Sequence, residues 1–265
     1  MTAVDTARSR WMRLLILAVV AIAIAHALDA TAWRSARLLT VNDKDWGRLL
    51  RSMGYLPTWG VIALGFWLQQ RDHPRRKAYA WALLLGPALG GGIAELLKLS
   101  IRRLRPNPDA FAYVFRPFAE GPLSNRDMGM PSSHVLVAFA GAEVLAQLYP
   151  RARWLWYTLA TGCAATRVLA MGHFLSDTVV AAVLGLVVGR WVWERTEALP
   201  SSGDWVCNIV TAFATLRDDR RDPARGLRVR ACSWTDFDRS RACATAAAVV
   251  RRRLCADQYR GTGLA

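Results

Sequence analysis

The chain has 265 residues, 53% of them hydrophobic, and a formal charge of +15. It is too apolar for a disordered basic tail protein and unusually basic for an ordinary enzyme. The charge alone does not point to nucleic acid, because no recognition motif accompanies it. The apolar residues fall in stretches at about Trp11–Leu28, Met53–Leu68, Ala78–Leu97, Pro131–Tyr149, Trp154–Met171 and Phe174–Trp193. Most approach the roughly 20 residues that cross a hydrocarbon core. The fold class expected is all-α: an integral membrane bundle of about six transmembrane helices with a basic C-terminal extension.

At the N-terminus, Arg8, Arg10 and Arg13 precede the apolar run Leu14–Ala25, and "AHA" at Ala25–Ala27 resembles a cleavage site. These are signal-peptide features; an uncleaved first span is the reading adopted. Met53–Leu68 is the shortest of the six. With a cytoplasmic N-terminus, six spans return the C-terminus to the cytoplasm, but basic residues are shared too evenly between the two sides to fix the direction. Trp11, Trp67, Trp81, Trp154, Trp156, Trp191 and Trp193 all fall at the cytoplasmic ends in this arrangement, which supports the alternation of the spans. Residues 1–199 are thus expected to form the membrane domain. Residues 200–265 form a basic cytoplasmic tail, disordered or lying on an anionic membrane surface through "RSRACATAAAVVRRR". Cys163 lies within a span, and Cys207, Cys232, Cys243 and Cys255 lie in the tail. Without a C-x-x-C pair or a Cys/His cluster they read as free thiols, with no metal.

Ionisable residues within or beside a span are expensive and need a reason. Three clusters stand out: "KLSIRRLRP" with Lys98 and Arg105, "PSSH" at Pro131–His134, and "TRVLAMGHFLSD" with Arg167, His173 and Asp177. Lys98 ends the third span, His134 opens the fourth, Arg167 nears the end of the fifth, and His173 and Asp177 begin the sixth. Alternating spans bring all of them to one membrane face. Three cations there suit a phosphoryl group, whose transfer depends on positioning and charge stabilisation. Backbone N–H groups around Ser132 and Ser133, with Pro131 in the helix's first turn, add anion donors. Asp177, one turn after His173, is placed to accept from its Nδ1–H and leave Nε2 free to attack phosphorus. His134 is then the acid for the departing oxygen.

In this order, "K-x6-R-P", "P-S-S-H" and "T-R-x5-H-x3-D" resemble the three signature motifs of the type 2 phosphatidic acid phosphatase (PAP2) superfamily, in its membrane lipid phosphatase branch. The resemblance implies a metal-independent phosphatase with no cofactor. It would work through a phosphohistidine on His173, at a site facing the extracytoplasmic side of the plasma (inner) membrane. Its partners would be a lipid phosphate substrate and membrane lipids, and no nucleic acid. Polyprenyl pyrophosphate, phosphatidic acid and phosphatidylglycerol phosphate all fit, with a lean to the first from "GMPSSH". Ser133 stands where the family has glycine, and Thr166 where it has serine. Two rival readings are a vanadate-dependent haloperoxidase-like oxidase and a catalytically silent lipid-binding or transport protein.

Other polar residues take structural readings. Arg102 and Arg103 are expected to snorkel to lipid headgroups. Glu95 and Glu143 are expected to be protonated or hydrogen-bonded between helices, and His26 and His73 to sit at interfaces. Arg126 and Asp127 border the entrance, the loop Ser100–Met130 covers the site, and Gly86, Gly90, Gly185 and Gly189 allow close helix packing.

Overall fold

A computed structural model describes residues 3–36, 41 and 44–198, all within one compact unit, Met1–Ser201. The tail 200–265, with its expected surface helix and cysteines, lies outside the described residues. Each of the six apolar stretches falls on one helix: α1 Ala3–Ala36, α3 Leu56–Gln69, α4 Arg76–Ile101, α5 Ser133–Leu148, α6 Arg153–Leu169 and α7 Leu175–Glu197. A short helix the hydropathy did not predict, α2 Asp45–Arg51, precedes α3 through the 3-10 turn Ser52–Gly54. No strand occurs among the described residues, only two isolated bridges in the α4–α5 loop.

Among the described residues, three helices are long and apolar enough to cross a membrane: α1 over Met12–Ala36, α4 and α7. The 16 residues of α5 rise roughly 24 Å at 1.5 Å each, short of a core of about 30 Å. The expected stretch began at Pro131, but Pro131 precedes the helix and Ser132 is its N-cap.

Helix α5 is the axis. Its residues from Val135 to Ala146 are buried continuously, as an apolar helix wrapped by neighbours on all sides should be. Small residues let those neighbours close in. A Cβ added to Gly185 of α7 would sit 2.8 Å from the Leu136 carbonyl oxygen, and one on Gly90 of α4 would sit 2.7 Å from Leu136 Cδ2. Fully buried Trp59 on α3 packs its ring against Gly141 and donates its indole N–H to the Met53 carbonyl at 2.9 Å, which ties the 3-10 turn to the core. Glu143 accepts from Gln147 and, across to α6, from the Tyr157 hydroxyl at 2.6 Å.

Contacts at the helix ends define two rims. At one, Asp29 near the end of α1 takes the Ser176 N–H at the start of α7 (2.8 Å), and Tyr55 at the start of α3 meets His134 at the start of α5. At the other, Arg75 beside α4 pairs with Glu197 at the end of α7 (3.0 Å). The tryptophans Trp67, Trp81, Trp154, Trp191 and Trp193 belong to this second rim, away from the cationic clusters.

Candidate active site

At the first rim the ends of α4, α5, α6 and α7 bring the expected residues to one place. Lys98 is buried near the end of α4 and donates to the Ser133 hydroxyl and to Glu95 Oε1 (2.7 Å). The Ser133 hydroxyl also donates to Glu95, which accepts from Asn125 as well. Glu95 is therefore an ion-paired acceptor joining α4, α5 and the loop. Ser133 has an ordinary helical backbone, absent from the positive-φ residues, so the site does not need a glycine there. Thr166 is buried and donates its hydroxyl to the Cys163 carbonyl at 2.7 Å. Arg167 is buried, and a Cβ on Gly172 would lie 2.5 Å from its Nη2, so the turn before His173 folds directly over the guanidinium.

His173 is 3% exposed. Its Nδ1 donates to the Gly129 carbonyl at 2.7 Å, and since a carbonyl only accepts, the proton sits on Nδ1 and Nε2 carries the lone pair. Burial, and then the charge of Arg167, hold its pKa well below the ordinary imidazole value, so the ring is neutral at neutral pH.

The expected bond between His173 and Asp177 is not formed. Asp177 Oδ2 lies 3.9 Å from Nδ1 and instead accepts the Phe174 N–H at 2.9 Å, while Oδ1 accepts from Arg103. The competing donors win because the main chain at Phe174 and a guanidinium are both nearer. Asp177 thus closes the turn that carries His173 and makes no hydrogen bond to the ring.

Arg103 corrects a second expectation. It is 2% exposed and does not snorkel. Its Nη2 donates to Asp177 and to Ser176 Oγ (2.8 Å), and its guanidinium lies 4.9 and 5.1 Å from the rings of Tyr113 and Phe174. Its own carbonyl accepts the Gly129 N–H at 2.7 Å. One residue therefore places both Asp177 and the carbonyl that orients His173. Asp29 completes the layer, accepting from Ser176 and from the Tyr113 hydroxyl at 2.7 Å. Burial and Asp29 push the Tyr113 phenol's pKa up, so it stays a donor.

Arg102 is 1% exposed and sits at φ 60° as the left-handed cap of α4. Its guanidinium donates to the carbonyls of Arg116, Pro117, Glu120 and Pro122, knotting the loop onto the helix end. Main-chain bonds from Leu104 to Val114 and from Arg105 to Asp127 fold the rest of the loop against the rim. Asp29 and Arg103 were missed by motif reading, although each is a charge at the polar end of an apolar run.

Several buried donors and acceptors at this rim lack a protein partner: His134 Nε2, Arg167 Nε, Ser132 Oγ and Arg103 Nε. Helix α5 starts there with no side chain capping it, so first-turn N–H groups remain open to an anion. Arg105 is exposed at the same rim, and its charge acts on both histidines, as do those of Arg167 and Lys98. Unpaired buried donors beside uncompensated cations form a cradle for a multiply charged anion. No group of three or more His, Cys, Asp or Glu residues able to hold a metal occurs among the described residues. An apolar cavity of about 440 Å³, lined by Phe66, Leu83, Leu145 and Trp156, lies towards the opposite rim and is separate from this cradle.

The PAP2 superfamily model matches residues 79–199, a segment that holds all three clusters. That segment is similar to the PAP2 superfamily. Among curated proteins it is similar to the Lipid A 1-phosphatase of Rhizobium etli, 29% identical over 198 residues that cover 69% of this chain and 82% of that protein. Among solved structures it is similar to the transmembrane PAP2 type phosphatidylglycerolphosphate phosphatase from Bacillus subtilis. That match has a TM-score of 0.50 and 19% identity, over 71% of this chain and 96% of that one. The latter likeness is one of fold. The chain is a membrane protein and a hydrolase.

Proposed function

We propose that this PAP2 protein is a six-span bundle, residues 1–199, followed by a cytoplasmic tail, residues 200–265. It hydrolyses the phosphate or pyrophosphate of an amphiphilic lipid at a site on the extracytoplasmic face of the plasma membrane. The observation that carries this reading is the neutral, Nδ1-protonated His173 set among unpaired buried donors and cations. Lys98, Arg105, Arg167, Ser132 and the N–H groups at Ser133 hold the phosphate. His173 Nε2 attacks phosphorus, the bond from phosphorus to the leaving oxygen breaks, and His134 gives that oxygen its proton. Water, deprotonated in turn by His134, then cleaves the phosphorus–nitrogen bond and releases phosphate. The cations stabilise charge on the equatorial oxygens, more strongly in this dry pocket than in water. Asp177 and Arg103 are positioning residues.

The substrate is a lipid whose head carries phosphate at the membrane surface: a polyprenyl pyrophosphate, phosphatidic acid or phosphatidylglycerol phosphate. The Rhizobium relative, named for lipid A, adds that glycolipid to the set. The test is phosphate release by the purified full chain in detergent from these lipids, with and without vanadate. The expected result is turnover of at least one lipid, inhibited by vanadate and unaffected by chelators. Failure on every lipid would overturn the reading.

A further inference from the structure

Outside the three motif clusters, a further cation lies beside the start of α5. Arg51 ends α2, and the turn that follows packs tightly on the start of α5: a Cβ on Gly54 would lie 2.6 Å from His134 Cβ. Cys163 Sγ lies 3.9 Å from the carbonyl oxygens of both Arg51 and His134, so the two backbones share one anchor on α6. The Arg51 guanidinium stands 5.6 Å from the Tyr55 ring centre, and that ring meets the His134 ring edge-on at 5.0 Å. Arg51 Nε is buried without a partner. Asp45, the carboxylate on the same short helix, pairs with Arg48 instead. The charges of Arg167, Arg51, Lys98 and Arg105 all act on His134, and that of Arg51 acts on Arg167 as well. Through Tyr55 and the shared Cys163 anchor, Arg51 therefore stands beside His134, the histidine proposed to face the leaving group.

We propose that Arg51, steered by Tyr55, is a specificity residue that binds a second anionic group on the leaving side of the reacting phosphate, so that the site prefers a diphosphate to a monophosphate ester. This rests on the roles proposed for His173 and His134. In a diphosphate the terminal phosphorus bonds to His173 Nε2 as its bond to the bridging oxygen breaks. His134 protonates that oxygen, which leaves as a lipid monophosphate. The inner phosphate then lies against Arg51, whose fork of donors matches two phosphate oxygens. A monophosphate ester offers only an alkyl carbon there.

The experiment measures kcat/KM of the full-length protein on a polyprenyl diphosphate and on its monophosphate, for wild type, Arg51→Gln and Arg51→Lys. Arg151→Gln, exposed at the opposite rim, is the charge control. The expected result is a diphosphate-to-monophosphate ratio that drops tenfold or more in Arg51→Gln, partly recovers in Arg51→Lys and does not move in Arg151→Gln. Inorganic pyrophosphate should inhibit wild type at lower concentration than phosphate, and Arg51→Gln should erase that gap. Equal loss on both lipids with the inhibitor gap intact would overturn the inference, as would a ratio unchanged in Arg51→Gln. If Arg51→Gln fails to fold, the Arg51→Lys ratio and the wild-type inhibitor gap decide. Wild type inactive on every lipid phosphate would instead overturn the proposed function.

Discussion

Cations at the two rims of the bundle meet opposite fates. At one rim Arg75 donates to Glu197 and to the Thr196 and Glu197 carbonyls, Tyr79 donates to the same carboxylate at 2.9 Å, and Trp193 stacks on Tyr79 at 5.2 Å. There, α4 and α7 are latched by groups that satisfy one another. At the other rim Asp177 is already taken by Arg103, and Glu95 by Lys98, Ser133 and Asn125, so among the described residues Arg167, Arg105 and Arg51 pair with no carboxylate. A cation held dry without its counter-ion is costly in the empty protein and is repaid only when an anion arrives. What separates the structural rim from the candidate binding rim is how many carboxylates remain for the arginines.

That contrast can be broken most severely at His173. His173→Ala should lower phosphate release by at least about 10⁴-fold, the scale seen when a nucleophile is removed, while the protein still folds; residual turnover near wild type would return the site to a structural role. Arg167→Gln removes a charge-stabilising donor and should cost about 10²–10³-fold in kcat. At the paired layer beneath, Arg103→Met leaves Asp177 buried without its partner. It should destabilise the protein by about 3–5 kcal/mol, read by thermal unfolding in detergent, and Arg103→Lys should rescue it poorly.

The pH dependence sharpens the comparison further. An unfolded imidazole titrates near 6.5, whereas burial and the Arg167 charge hold His173 in the folded chain well below that value. Below about pH 6.5 the unfolded chain therefore takes up a proton that the folded one refuses, and stability falls as pH falls. The melting temperature of wild type should drop more steeply between pH 7 and 5 than that of His173→Gln. At the opposite rim, Glu197→Gln removes a partly exposed pair and should cost at most about 1 kcal/mol, with turnover unchanged.

The positions of the candidate site residues were legible because each sits where an apolar run ends and a motif begins: Lys98, His134, Arg167, His173 and Asp177. Their alternation along the chain was enough to bring them to one rim. The partners within the site were not legible. Helical spacing puts Asp177 within reach of His173, yet main-chain groups at Gly129 and Phe174 take those bonds, and no side-chain pattern announces a backbone carbonyl. Arg102 and Arg103 look like a headgroup-facing flank until the loop folds back and surrounds them with carbonyls and Asp177. Asp29, far away in sequence, becomes part of the layer only through α1 lying on α7. Helix α2 escaped notice because it is short and polar, and Arg51 with it.

The most direct test is to quench the enzyme during turnover of a labelled lipid phosphate under conditions that preserve acid-labile phosphoramidates, and to map the labelled peptide. Phosphate should be found on a ring nitrogen of His173 and should accumulate further when His134 is replaced by Ala. Label on His134, or steady turnover with no phosphohistidine at either position, would contradict it.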